Sequence, residues 1–147
     1  MPGTSDLNTD FLESLLGYNA RRASVTILTV VFERMATLGL RPVEFSMLSL
    51  IHHNPGVTSR RLSEALAIQP PNLVGKVANL LEKGWVTRQI DSQDKRALVL
   101  TITAEGRAII EKAELLATEL ETAASVQLTN EERETLIGLL KKVYLPT

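Results

Sequence analysis

The stretch WVTRQIDSQDKRALVLTI, Trp85 to Ile102, is where the rhythm of this sequence changes. Its two ends, WVTRQI and ALVLTI, alternate apolar and polar residues with period two and carry β-branched side chains. That pattern suits half-buried strands. Between them the cluster DSQDKR, Asp91 to Arg96, places four charges in six residues rich in turn formers. The stretch therefore reads as one β-hairpin around a loop of about six residues. Most other apolar residues of the chain recur at helical spacing, so the hairpin stands alone in a helical protein.

Working outward, Gly84 ends a helix that opens at Pro70 or Pro71. Proline fits the first turn of a helix because its φ is fixed and its missing N–H is not needed there. Before that helix, Thr58 caps a short one with Leu62 and Leu66 inward, and Ile68 follows in a tight connection. Pro42 opens another helix with Phe45, Leu48 and Ile51 on its buried face, and HHNPG, His52 to Gly56, stops it. The first helix is expected from Asp10, with an Asp10/Glu13 capping box, to about Leu38, loosened early at Gly17 and closed by Gly39. It carries Phe11, Leu15, Tyr18, Val25, Leu28, Val31 and Met35. Residues 1–9 read as disordered. After the hairpin, Thr103 caps a long helix with Ile109, Leu116 and Leu120 on one side. Thr129 and Glu132 form a capping box for a last helix bearing Leu136, Leu140 and Val143.

A short helix, a tight turn, an amphipathic helix and a hairpin make a winged helix-turn-helix, here spanning about 41–102. The fold class is mainly α with a small β-hairpin, in a single domain of 147 residues. The outer helices, about 10–38 and 103–145, carry apolar stripes that one small domain does not cover. They read as dimerisation helices packing against a second copy of the chain.

Composition narrows the class further. Hydrophobic residues make up 44% of the chain, as in an ordinary globular protein. No apolar run is long enough to span a membrane, and MPGTSDLNTD at the N-terminus lacks the pattern of a signal peptide. There is no cysteine, which excludes disulfides, thiolate metal sites and cysteine redox sensing, and fits a cytoplasmic protein. Net charge is -1, but it is unevenly spread. Between Thr58 and Ala97 seven basic residues face four acidic ones, and the flanks are acidic. A basic middle is a modest footprint for a polyanion, or chance scatter in a short window.

On a helical wheel, Leu73, Val77 and Leu80 share the core side of the helix that starts at Pro70. The other side shows Pro71, Asn72, Gly75, Ala78 and Asn79, with Lys76 at its edge. Asn offers adenine both an acceptor and a donor in the major groove, and Lys76 reaches for a phosphate. Gly75 costs about 1 kcal/mol relative to Ala inside a helix, a cost that makes sense where a backbone must approach something closely. The plain alternative is a solvated face with a tolerated glycine. In the loop, Lys95 reads as a phosphate contact and Arg96 as a side chain entering a minor groove. Asp94 is expected to hold the Arg96 guanidinium in a bidentate pair, and Asp91 to shape the turn. The loop also fits a solvated hairpin tip.

Residues 56–108, from GVTSRRLSEALAIQPPNLVGKVANLLEKGWVTR through DSQDKRALVLTIT to AEGRA, resemble the MarR family of bacterial transcription factors. The helix end LLEKGWVTR, the wing motif D-x-x-D-x-R and the following TAEG carry the likeness, and FLESLLGYNARRA extends it weakly toward the N-terminus. The resemblance implies a homodimer with one winged helix per half, bound to a pseudo-palindromic double-stranded DNA operator and usually repressing. It implies that Ser59 and Arg60 meet the DNA backbone, that the helix from Pro70 enters the major groove, and that Arg96 leads the wing. Family members often carry small polar residues where this chain has Pro70 and Pro71, and a polar or basic one at Gly75. Fewer side chains are then left to read bases here, and DNA shape takes a larger share.

The resemblance also implies a pocket for a small aromatic or phenolic carboxylate effector. GYNARRA supplies Tyr18, Arg21 and Arg22, and His52 adds a donor. Alternatively, Arg21 and Arg22 pair with acids such as Glu13 or lie in water, and the two histidines merely end a helix. His52 and His53 have no carboxylate motif beside them, so the sequence assigns no metal ligand and no cofactor. No nucleophile–base pair, Gly-rich phosphate loop or metal spacing marks an enzyme. The other reading is a winged-helix protein-interaction module without DNA binding, which the low net charge and the Pro-Pro/Gly helix favour.

Overall fold

The computed structural model describes residues Leu7 to Thr147, so most of the 1–9 segment expected to be disordered lies outside the described residues. The elements in chain order are α1 (Asp10–Glu13), α2 (Leu16–Ala36), α3 (Pro42–His53), β1 (Val57–Thr58), α4 (Ser59–Leu66), α5 (Pro70–Glu82), β2 (Val86–Ile90), β3 (Leu98–Ile102), α6 (Ala104–Ala124) and α7 (Asn130–Tyr144). The hairpin strands match the reading of the sequence to within a residue.

The chain divides into two compact units. One is Phe32–Thr118; the other joins the chain through Val31 with Glu119–Thr147. In the first, Met47, Leu48 and Ile51 of α3, Leu62 of α4, Leu73, Val77 and Leu80 of α5, Leu100 of β3, and Ile110 and Ala113 of α6 are buried. Each large aliphatic side chain buried there contributes about 1.5–3 kcal/mol. The α5 wheel is as expected. On α6 the buried residues are Gly106, Ile110 and Ala113, while Ile109, Leu116 and Leu120 are only half-buried. Val86 pairs with Ile102 and Ile90 with Leu98 in the antiparallel hairpin. A third strand, unseen in the sequence, completes the sheet: β1 pairs antiparallel with β3, Val57 opposite Leu100. Two residues carry no periodicity of their own, so only the partner strand reveals them.

Local signals hold these pieces in place. Thr58 accepts the Arg61 N–H and caps α4. Ala67 ends α4 in the left-handed region at φ 52°, where most residues are strained, and so turns the chain sharply into α5. Thr103 accepts the Gly106 N–H at 3.0 Å and donates to the Gly84 carbonyl at 2.7 Å, tying the start of α6 to the end of α5. Gly106 must be glycine, because a Cβ there would be driven into the backbone of Trp85 and within 2.9 Å of Ile102 Cγ1. Glu44, buried on α3, receives Lys83 Nζ at 2.6 Å, and Lys83 also donates to the Gly39 carbonyl at 2.8 Å and lies over the Trp85 ring at 4.7 Å. This clamp fixes the C-terminal end of α5 against α3.

In the other unit the expected single N-terminal helix is split. Ser14 Oγ donates to the Phe11 carbonyl, and Asn19 Nδ2 donates to the Glu13 and Leu15 carbonyls, satisfying acceptors that a continuous helix would have used. The Asp10/Glu13 capping box does not form; Thr9 Oγ1 donates to Glu13 instead. The Thr129/Glu132 box forms in full, and Arg133 staples the turn before it by donating to Ser125 Oγ at 2.9 Å and Asn130 Oδ1 at 2.9 Å. No residue of α7 is buried, and Leu136, Ile137, Leu139, Val143 and Tyr144 are exposed, as are Phe11, Leu15 and Val25.

Candidate nucleic-acid interface

Three elements of the Phe32–Thr118 unit present the residues singled out in the sequence. Ser59 and Arg60 start α4, Arg96 lies on the wing, and all three line one open concavity of about 730 Å³ together with Thr58, Arg61, Glu64, Asp94, Ala97 and Leu98. Arg61 is the member that sequence reasoning missed; its place beside Arg60 in the basic window was the available signal. Arg60 Nε sits 3.2 Å from Glu64 Oε1, one turn on. Such an exposed pair is worth only about 0.3–0.5 kcal/mol, so a phosphate can displace the glutamate cheaply. The Ser59 and Arg60 amides have no hydrogen-bond partner among the described residues. They leave the positive end of α4 open to an anion.

The start of α5 is different. Pro70 and Pro71 have no N–H, and the Asn72 and Leu73 amides both donate to the Gln69 carbonyl, at 2.9 and 3.2 Å. No free amide remains at that helix start, so α5 reaches outward with side chains and bare backbone. Pro71, Asn72, Val74, Gly75 and Ala78 are exposed on it. A Cβ at Gly75 would meet nothing within 4 Å, so internal packing gives no reason for the glycine. Val74, on the flank of the wheel between the core side and the Gly75 side, is 68% exposed. Asn79 is half-buried rather than displayed, and with Lys76 it borders a small recess of about 200 Å³ beside Arg41 and Glu44.

The wing is ordered by its aspartates, though not both as expected. Asp91 shapes the turn: its Oδ1 accepts the Gln93 N–H at 3.2 Å and its own N–H donates to the Ala97 carbonyl at 2.9 Å. Asp94 forms no ion pair with the Arg96 guanidinium. Its Oδ1 accepts the Arg96 backbone N–H at 3.0 Å, a local aspartate turn that wins because the two residues are only two apart. Asp94 therefore aims Arg96 through the backbone. Lys95 and Arg96 are exposed, and their side chains carry no partner among the described residues.

An apolar cleft of about 560 Å³ lies on the other flank of α5, lined by Pro70, Leu73, Val74, Val77, Leu81 and Leu98, with Arg60 and Arg88 among its polar members. Ser63 also lines it, and its Oγ is buried without a hydrogen-bond partner. Of the expected effector residues, Tyr18 is half-buried and Arg21 and Arg22 are exposed on α2. Neither arginine forms an ion pair among the described residues. His52 is half-buried on α3, with Nε2 4.0 Å from Glu111 Oε1.

Comparison with known proteins gives this geometry its context. The sequence profile of the MarR family matches residues 38–97. A putative transcriptional regulatory protein for the hcr operon of Thauera aromatica is 31% identical over 130 residues, covering 88% of this chain and 78% of that protein. Among solved structures, the transcriptional repressor CouR bound to a 23-mer DNA duplex superposes with a TM-score of 0.86 at 30% identity, over 94% of this chain and 98% of its own. CouR from Rhodococcus jostii bound to p-coumaroyl-CoA gives a TM-score of 0.84 at 25% identity, over 92% and 96% of the two chains. Likeness of this extent in sequence, with the winged helix in place, establishes that the chain belongs to the MarR family of transcriptional regulators.

Proposed function

We propose that this regulator is a repressor that binds a pseudo-palindromic DNA operator as a homodimer and is released by a small aromatic acid or its thioester. The observation that carries the reading is the shared concavity of the α4 start and the wing, where Ser59, Arg60, Arg61 and Arg96 converge beside two free amides. In the complex, α4 grips a phosphate through its N-terminus, α5 lies in the major groove, and Arg96 enters the adjacent minor groove. Asn72 and Val74 are the side chains best placed to meet bases, one through hydrogen bonds and the other through a thymine methyl. With the middle of the α5 face bare, shape and backbone contacts supply much of the selectivity.

The homodimer rests on the exposed apolar side chains of α1, α2 and α7. Two-fold symmetry then sets half-sites about one helical turn apart, roughly 34–36 Å. The effector reading draws on the ligand of the Rhodococcus relative and on Tyr18, Arg21 and Arg22 of α2, where a guanidinium suits a carboxylate and the tyrosine offers a ring and a hydroxyl. Among the described residues no helix is long and apolar enough to cross a membrane.

The test is fluorescence anisotropy on duplexes from the region upstream of the gene. Wild type should bind one of them specifically and lose affinity steeply with salt, as counterions are released. Arg96→Ala should weaken binding about tenfold or more and reduce the salt slope by about one. Equal binding by the two proteins would sink the wing assignment. Absence of specific binding by wild type on every duplex favours the protein-interaction reading.

A further inference from the structure

The sequence holds two histidines and no cysteine. Both histidines lie in the last turn of α3, and the fold sets α6 against them. His53 Nε2 is 2.8 Å from Glu114 Oε1, and Ser49 Oγ donates to the same oxygen at 2.8 Å. One donor atom from each of His52, His53 and Glu114 lies within 4.8 Å of the others. Glu111, one turn before Glu114, approaches His52 Nε2 at 4.0 Å. The opposite ring nitrogen, His52 Nδ1, is buried and has no hydrogen-bond partner.

We propose that His52, His53 and Glu114, with Glu111 as a fourth donor, form a site for a divalent transition-metal ion, of which zinc is the best fit. Two imidazoles and one or two carboxylates are an established donor set for zinc, whereas magnesium and calcium take oxygen alone. A tetrahedral zinc with bonds of about 2.0–2.1 Å holds its ligand atoms roughly 3.3 Å apart. Small rotations of side chains already within 4.8 Å reach that spacing. The negative end of the α3 dipole favours a cation at this position. Ser49 holds Glu114 in place through its hydrogen bond to Oε1, as outer hydrogen bonds commonly do for ligands. A bound ion would join the end of α3 to α6 within the Phe32–Thr118 unit, bracing the segment that leads into β1 and the sheet.

The experiment uses the full chain without a histidine tag, stripped with chelator, and titrates zinc chloride by calorimetry with thermal melting in parallel. One zinc per chain should bind, and the melting temperature should rise with zinc but not with the same concentration of magnesium. His53→Ala and Glu114→Ala should each weaken zinc binding about tenfold or more, a span typical of losses at metal sites. Both positions have solvent access, and His53→Gln preserves bulk if the alanine variant melts early. Absence of zinc binding at micromolar concentrations overturns the site. So does binding that keeps its affinity in both variants, which would place the ion elsewhere on the chain. The outcome is independent of operator binding, since no DNA is present.

Discussion

The inward and outward sides of α5 are built from opposite kinds of residue. Inward, Leu73, Val77 and Leu80 fill the core, and the helix end is held by a lysine bonded to a buried glutamate. Outward, Pro71, Gly75 and Ala78 offer almost nothing to hydrogen-bond, and no neighbouring atom of the fold explains the glycine. One side is overdetermined by the chain itself; the other is left unexplained by internal packing and belongs to the proposed DNA interface. Substitutions should therefore separate cleanly. Changes on the core side move stability, and changes on the outer side and the wing move DNA affinity.

The largest effect is expected at Gly106, where α6 crosses the Trp85 backbone. Gly106→Val should cost about 3 kcal/mol or more, because the obstruction is a main-chain carbonyl that cannot rotate away. Urea denaturation measures it, and a loss below 1 kcal/mol contradicts the close approach. Next is Lys83→Met, which leaves the Glu44 carboxylate buried with only the Arg41 guanidinium at 3.7 Å. A loss of about 3 kcal/mol is expected, the low end for breaking a buried pair. A wild-type-like denaturation midpoint would show that Arg41 takes over the role.

The wing gives a smaller and more selective contrast. Asp94→Ala removes one turn hydrogen bond worth about 1 kcal/mol and should lower operator affinity about fivefold. Asp94→Asn keeps an acceptor for the Arg96 N–H and should stay within about twofold of wild type. If Asn is as damaging as Ala, the charge matters and the guanidinium pairing is restored as the explanation. The smallest effect has two signs. Gly75→Ala should stabilise the free protein by about 0.5–1 kcal/mol through helix propensity, yet weaken operator binding. Greater stability with unchanged affinity would remove the outer face of α5 from the interface.

Much of this was legible in the sequence wherever the cause is local. The period-two runs mark β2 and β3, Thr58, Thr103 and Thr129 mark helix starts, and the α5 wheel separates its two faces. Each signal spans only a few residues and needs no partner from elsewhere. The same locality misled at the N-terminus, where Ser14 and Asn19 side chains capture the carbonyls that a continuous helix requires. It misled at Asp94 too, since spacing alone does not say whether a carboxylate meets a side chain or a backbone amide.

What the sequence determined by itself is the winged helix with a charged loop between its strands, because alternation, helical spacing and capping are short-range physics. What only tertiary structure decided is which distant groups meet. Glu44 and Lys83 are 39 residues apart, and His53 and Glu114 are 61 apart. The histidines looked like helix-ending residues with no carboxylate beside them. Folding supplied the carboxylate from α6, and with it the proposed metal site, because burial of the α3 and α6 apolar faces carries their polar edges into register.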